Sequence, residues 1–123
     1  MVIRGEMRGL AVAMLSLVGA AAAYAHAHLD RASPAAGSMV ATAPGEVRLH
    51  FTQKIEPKFS TIVVRDAAGQ QVDKSDSSVD ATDQQVLRVS LQPLGPGRYK
   101  VEWRVTSVDT HASRGDYSFR VGK

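Results

Sequence analysis

Tyr99-Lys100-Val101-Glu102-Trp103-Arg104-Val105-Thr106 carries the cleanest alternation in the chain. Tyr99, Val101, Trp103 and Val105 fall on one side, and Arg98, Lys100, Glu102 and Arg104 on the other. Side chains of extended backbone point alternately to the two faces of a sheet, so this stretch is a strand with one buried face. Trp103, the single tryptophan, is expected as a core anchor between two sheets. Beyond it, Tyr117, Phe119 and Val121 alternate again within Asp116 to Val121. The intervening Ser107-Val108-Asp109-Thr110-His111 is a loop that brings an aspartate and a histidine two positions apart. On extended backbone that spacing puts both side chains on one face.

Working back toward the N-terminus, Pro93-Leu94-Gly95-Pro96-Gly97 is a rigid turn, and Leu87, Val89 and Leu91 alternate before it. Gln71 to Gln85 is polar, a weak strand and a solvated loop. Its Asp73, Asp76, Asp80 and Asp83 lack the ordered spacing of a calcium loop. Phe59 to Arg65 has strand character through Ile62, Val63 and Val64, after an interruption at Pro57. Asp66 to Gln70 is a hairpin-type turn. Val47, Leu49 and Phe51 alternate with Glu46, Arg48, His50 and Thr52, which makes another half-buried strand and turns His50 toward solvent. Pro34 to Ser38 and Ala43-Pro44-Gly45 are turns, and His26 to Ser33 is short and extended. About seven short strands with turns about every 8–12 residues indicate an all-β, Ig-like Greek-key β-sandwich or barrel. No segment past residue 25 has a helical period.

The chain has 123 residues, enough for one domain, and no cysteine. Disulfides, thiolate metal sites and cysteine nucleophiles are therefore excluded. Arg4 and Arg8 precede an apolar run from Leu10 to Ala23, and Ala23-Tyr24-Ala25 matches a small-x-small cleavage pattern. The run is shorter than the roughly 20 residues of a spanning helix. Residues 1–25 are thus expected to be a cleaved secretory signal peptide, and residues 26–123 the exported, soluble, periplasmic domain. A cut after Ala25 exposes His26. A second pattern, Ala25-His26-Ala27, would expose His28 instead. From His26 onward thirteen Lys and Arg face eleven Asp and Glu, a balance too even, and along the sequence too scattered, to indicate nucleic acid.

A terminal histidine offers an α-amine, with an ordinary pKa of about 7.7–8.0, and an imidazole from one residue. His26 with Asp109 and His111 supplies three nitrogens and one oxygen, a set that suits square-planar or tetragonal copper(II) better than zinc, magnesium or calcium. Copper(I), which prefers sulfur, finds only Met39 past residue 25. A rival mode uses the amine, two deprotonated backbone amides and the imidazole of His28, with no need of Asp109 or His111.

The segments His-Ala-His-Leu (26–29), Ser-Pro-Ala-Ala-Gly-Ser (33–38), Leu-His-Phe-Thr (49–52), the run from Gly95 to His111, and Gly-Asp-Tyr-Ser-Phe (115–119) resemble the CopC-type copper-resistance proteins. The resemblance spans residues 26–123 and is most specific from Gly97 to Phe119. It implies a small periplasmic Ig-like β-barrel that holds copper(II) through His26, Asp109 and His111. It also implies a monomer that hands copper to a CopD-type inner-membrane partner. Two departures stand out. Some relatives carry a methionine-rich loop for copper(I), whereas Phe59 to Val86 contains no methionine. Relatives often read Phe-Ser-Glu where this chain has Phe51-Thr52-Gln53; Gln53 can still accept a hydrogen bond from a ligating histidine through its amide oxygen but without the charge, so binding is expected to survive in weaker form.

The expected function is copper(II) binding and delivery in copper resistance or homeostasis, without catalysis. Two alternatives use the same residues. One is a copper-dependent oxidative enzyme with a terminal-histidine brace. The other is a metal-free extracytoplasmic interaction module in which Asp109 and His111 only stabilise a turn.

Overall fold

The computed structural model describes residues 26–123; the expected signal peptide, residues 1–25, lies outside the described residues. Eight strands form two four-stranded sheets. β1 (Leu29–Ser33), β3 (Glu46–Phe51), β6 (Val86–Ser90) and β5 (Ser78–Val79) make the first, in that spatial order. β2 (Met39–Val40), β8 (Ala112–Val121), β7 (Gly97–Thr106) and β4 (Thr61–Arg65) make the second. Only β5–β6 and β7–β8 join neighbours within a sheet; every other connection crosses between sheets, as in an Ig-like sandwich. Two of the eight strands are only two residues long, which is how a pattern of about seven resolves into eight. Among the described residues no helix is long and apolar enough to cross a membrane.

Alternation places the core where the sequence put it. Val47, Leu49 and Phe51 of β3, with Leu87 and Val89 of β6 beside them, face Ile62 and Val64 of β4, Tyr99, Val101 and Val105 of β7, and Tyr117, Phe119 and Val121 of β8. Phe51, Phe119 and Leu49 are the largest fully buried side chains. Tyr99 stacks on Phe119, with ring centroids 5.6 Å apart, and closes its hydroxyl onto the Gly95 carbonyl at 2.6 Å. The Tyr117 hydroxyl donates to the Pro34 carbonyl at 2.8 Å, and burial pushes its phenol pKa upward.

Trp103 departs from the expected central anchor. It is half-buried and packs on the rim of the core, edge-on to Phe51 at 6.3 Å and tilted against Tyr117 at 6.2 Å. The cause is its cross-strand partner, Gly115, which leaves no side chain beneath the indole. The ring fills that space so closely that a Cβ on Gly115 would stand 2.4 Å from Trp103 Cζ2.

The polar stretch between β4 and β6 is held by its own carboxylates. Asp73, buried, accepts from the Val64 amide at 2.8 Å and the Ser75 amide at 2.9 Å. Asp76 accepts from the Ser90 amide, Asp80 from Thr82 and Arg48, and Asp83 from the Gln85 amide. Asp73, Asp80 and Asp83 each accept from the amide two residues on, as turn-forming side chains do, whereas Asp76 ties the stretch to the end of β6. His50 lies on the outer face of β3 with Nδ1 3.2 Å from an Arg31 guanidinium nitrogen.

The contact between Gly115 and Trp103 yields a direct test. Gly115→Ala is expected to cost about 1–3 kcal/mol, the usual range for overpacking, and to shift the emission of the single tryptophan as its ring is displaced. Urea unfolding and fluorescence read both; unchanged emission with undiminished stability would contradict the packing described.

Candidate metal centre

β7 and β8 pair over ten residues, from Gly97 opposite Val121 to Thr106 opposite Ala112. Ser107 to His111 is the turn that closes this hairpin. The Ser107 amide donates to the His111 carbonyl at 2.9 Å, and the Thr110 amide to the Ser107 carbonyl at 2.8 Å. Thr110 adopts a φ of +75°, a left-handed conformation that a non-glycine residue takes up at some cost. The expected convergence of Asp109 and His111 is therefore real, but its cause differs. A tight turn, rather than strand alternation, brings His111 Nδ1 to 3.3 Å from Asp109 Oδ1.

Ser107, which the sequence reading passed over, organises the loop. It is buried, and its hydroxyl donates to Asp109 Oδ1. Ser107 Oγ also accepts from the His111 amide at 3.3 Å and lies 3.2 Å from the His111 carbonyl. A serine two residues before an aspartate in a turn is the signal that would have found it. The Asp109 carboxyl is held below the ordinary carboxylate range, first by the Ser107 hydrogen bond and then by His111. Both side-chain contacts fall on Oδ1. A proton on His111 Nδ1, directed at Asp109, leaves Nε2 with its lone pair available. Asp109 and His111 are about half exposed, so an ion reaches them directly.

The N-terminal segment arrives at the same place. Ala27 is buried in the core, and its carbonyl accepts the Ser113 hydroxyl at 2.6 Å. Thr52 clamps the next residue: its Oγ1 accepts the His28 amide at 3.0 Å, and its amide donates to the His28 carbonyl at 2.9 Å. With residues 27 and 28 fixed, the His26 ring stands edge-on to the His111 ring, centroids 5.2 Å apart at 70°. The side chain of His28 is exposed.

Three of the sequence-predicted residues, His26, Asp109 and His111, are thus brought together. Among the described residues no group of three or more His, Asp or Glu side chains is yet tight enough to enclose a metal. The bonding of residue 26 bears on this. In the full-length chain its nitrogen is a peptide amide joined to Ala25, with no lone pair to donate, whereas a free amine there would be a donor. The donor set fits copper(II) in kind: imidazole nitrogen and carboxylate oxygen, without sulfur.

The family model for the CopC domain matches residues 29–122. The crystal structure of CopC from Methylosinus trichosporium OB3b is 35% identical, with a TM-score of 0.74 over 79% of this chain and 94% of that one. PcoC, a methionine-rich copper resistance protein from Escherichia coli, is 32% identical with a TM-score of 0.70, covering 79% of this chain and 99% of that one. The copper transport protein CutJ of Bacillus subtilis is 30% identical over 101 residues, 81% of this chain but only 19% of CutJ.

Because Ser107 heads the causes of the low Asp109 pKa, Ser107→Ala is expected to return that carboxyl toward about 3.9, its ordinary value. A folded-state pKa below the unfolded one stabilises the fold above the ordinary carboxylate range, and that contribution is lost as pH falls through the folded value. The wild type should therefore keep the Asp109 contribution to lower pH than the variant. An NMR titration of the side-chain carboxyl carbons reads the two midpoints; equal midpoints would show that Ser107 does not hold the carboxylate.

Proposed function

The chain belongs to the CopC family, and from that premise we propose that its exported form is a copper(II) carrier whose cargo is held by His26, Asp109 and His111. The observation that carries the reading is the approach of the His26 and His111 rings to 5.2 Å beside the Asp109 carboxylate. Cleavage after Ala25 would convert the residue 26 nitrogen from amide to amine and complete a set of three nitrogens and one oxygen. Ala27, buried and tied to Ser113, holds the new terminus against the turn, so little chain entropy remains to be lost when the ion binds.

The rival mode through His28 is disfavoured by the same anchoring. It requires the amides of Ala27 and His28 to lose their protons and turn toward the ion. The His28 N–H is engaged by Thr52 Oγ1, and Ala27 is packed in the core. Copper(I) storage is disfavoured by composition: PcoC is methionine-rich by name, whereas here Met39 is the single thioether past residue 25. The ion is cargo, and with Asp109 available as a fourth donor the chain's residues have no evident part in oxygen chemistry.

Periplasmic location follows from the expected signal peptide. A CopD-type membrane protein is the recipient we favour. Its support is CutJ, a copper transport protein by name, of which the segment similar to this chain makes up about a fifth.

A copper(II) titration against a competing chelator tests the ligand set. Protein whose mass shows it to begin at His26 is expected to bind one ion. An added residue before His26, or His111→Ala, should each lower affinity by more than the about 10–100-fold typical of changes outside the ligand shell. Equal binding by the extended protein would remove the terminal amine from the site. Unchanged binding by His111→Ala would favour the His28 mode.

A further inference from the structure

The hairpin that carries the metal loop also gathers positive charge. Register sets Arg98 opposite Arg120 and Arg104 opposite Arg114, like charges directly across antiparallel strands, an arrangement that destabilises a sheet. Lys100 and Arg65 share this outer face, against which stand only Glu102 and Asp116. The rest of residues 26–123 holds seven basic and nine acidic side chains. Basic residues that look scattered in sequence are thus collected on one face by alternation and register.

Neutralisation differs between the two sheets. On the first, Arg48 pairs with Glu46 and Asp80, and Arg88 pairs with Glu46. On the second, Arg65 pairs with Glu102 at 3.2 Å. Its other five basic side chains are exposed, with no ion pair or side-chain hydrogen bond among the described residues. A cost in repulsion is thus retained on one face and removed on the other.

We propose that the outer face of β4, β7 and β8 docks on the anionic phospholipid headgroups of a membrane surface. The charge runs along two strands of ten residues, about 30 Å at about 3.3 Å per residue, which matches a plane of phosphates better than a single acidic side chain. The face is shallow, and an open groove of about 460 Å³ lies between Thr61, Arg104 and Arg114. At its rim Met39, 68% exposed and in register with Arg120, offers an apolar side chain to the headgroup boundary. A hairpin lying flat on that surface keeps its turn, residues 107–111, at headgroup level, beside any membrane-embedded recipient. The proposal requires no copper and stands or falls apart from the ligand assignment.

Vesicle co-sedimentation tests it. Metal-free protein beginning at His26, which contains all eight strands, is mixed with phosphatidylglycerol vesicles or phosphatidylcholine vesicles at low and at physiological salt. Binding to the anionic vesicles alone, weakening with salt, is expected. At about fivefold in affinity per basic residue near an anionic surface, the Arg104→Gln/Arg114→Gln double variant should bind about 25-fold more weakly. Arg31→Gln/Lys74→Gln, which removes the same charge elsewhere, should lose less than fivefold. Urea unfolding checks that both variants fold, and relief of the Arg104–Arg114 repulsion predicts no loss of stability in the first. Absence of binding at low salt, or equal loss in the two variants, would overturn the proposal. Capture of this face by an acidic protein, with none by lipid, would overturn it equally.

Discussion

The ten-residue register between β7 and β8 is the constraint on which the rest of the molecule depends. It places Tyr99 on Phe119 and Val101 beside Tyr117 in the core, and it sets Trp103 over Gly115 at the rim. It leaves five residues to turn between Thr106 and Ala112, too few for anything but a tight loop. A slip of one position would exchange every inward and outward side chain of the hairpin. The core, the loop and the charged face would be lost together.

The loop inherits its geometry from that register and from one buried hydroxyl. Ser107 sits where the strand stops alternating; its hydroxyl donates to the Asp109 carboxylate and its oxygen accepts from the His111 amide. The Val108 amide is tied in turn to the Lys54 carbonyl, and the Glu56 amide to the Thr106 carbonyl, so the loop is braced by the segment that follows β3. His26 is then positioned from the opposite end of the sequence through buried Ala27. Two distant segments meet because His26 is anchored by buried Ala27 beside it and His111 by buried Ser107 four residues before it.

Strand positions were legible because β3, β7 and the run from Leu87 to Leu91 across most of β6 alternate, and period-two patterning is the strongest local signal a half-buried strand gives. β8 was read from Asp116, whereas it begins at Ala112; Ser113, Arg114 and Gly115 carry no large apolar residue to mark it. The depth of Trp103 was not legible either. It depends on Gly115, twelve residues away, lying opposite it, which is a matter of register and not of composition. The site was half legible. Donor chemistry selected His26, Asp109 and His111, but the turn that joins the last two rests on Ser107 and on a left-handed Thr110, neither of which a D-x-H spacing displays. The basic face was invisible for the same reason as Trp103, since Arg98 and Arg120 become neighbours only after pairing.

The central claim is that a free terminal nitrogen, two imidazoles and one carboxylate form a single copper(II) site at the mouth of the sandwich. Electron paramagnetic resonance of copper(II)-loaded protein beginning at His26, with pulsed detection of the coupled nitrogens, tests that set most directly. The proposed ligands predict a tetragonal centre with three nitrogen donors, two of them imidazole, and loss of one imidazole coupling in His111→Ala. A four-nitrogen centre containing deprotonated backbone amides, unchanged in His111→Ala, would contradict it.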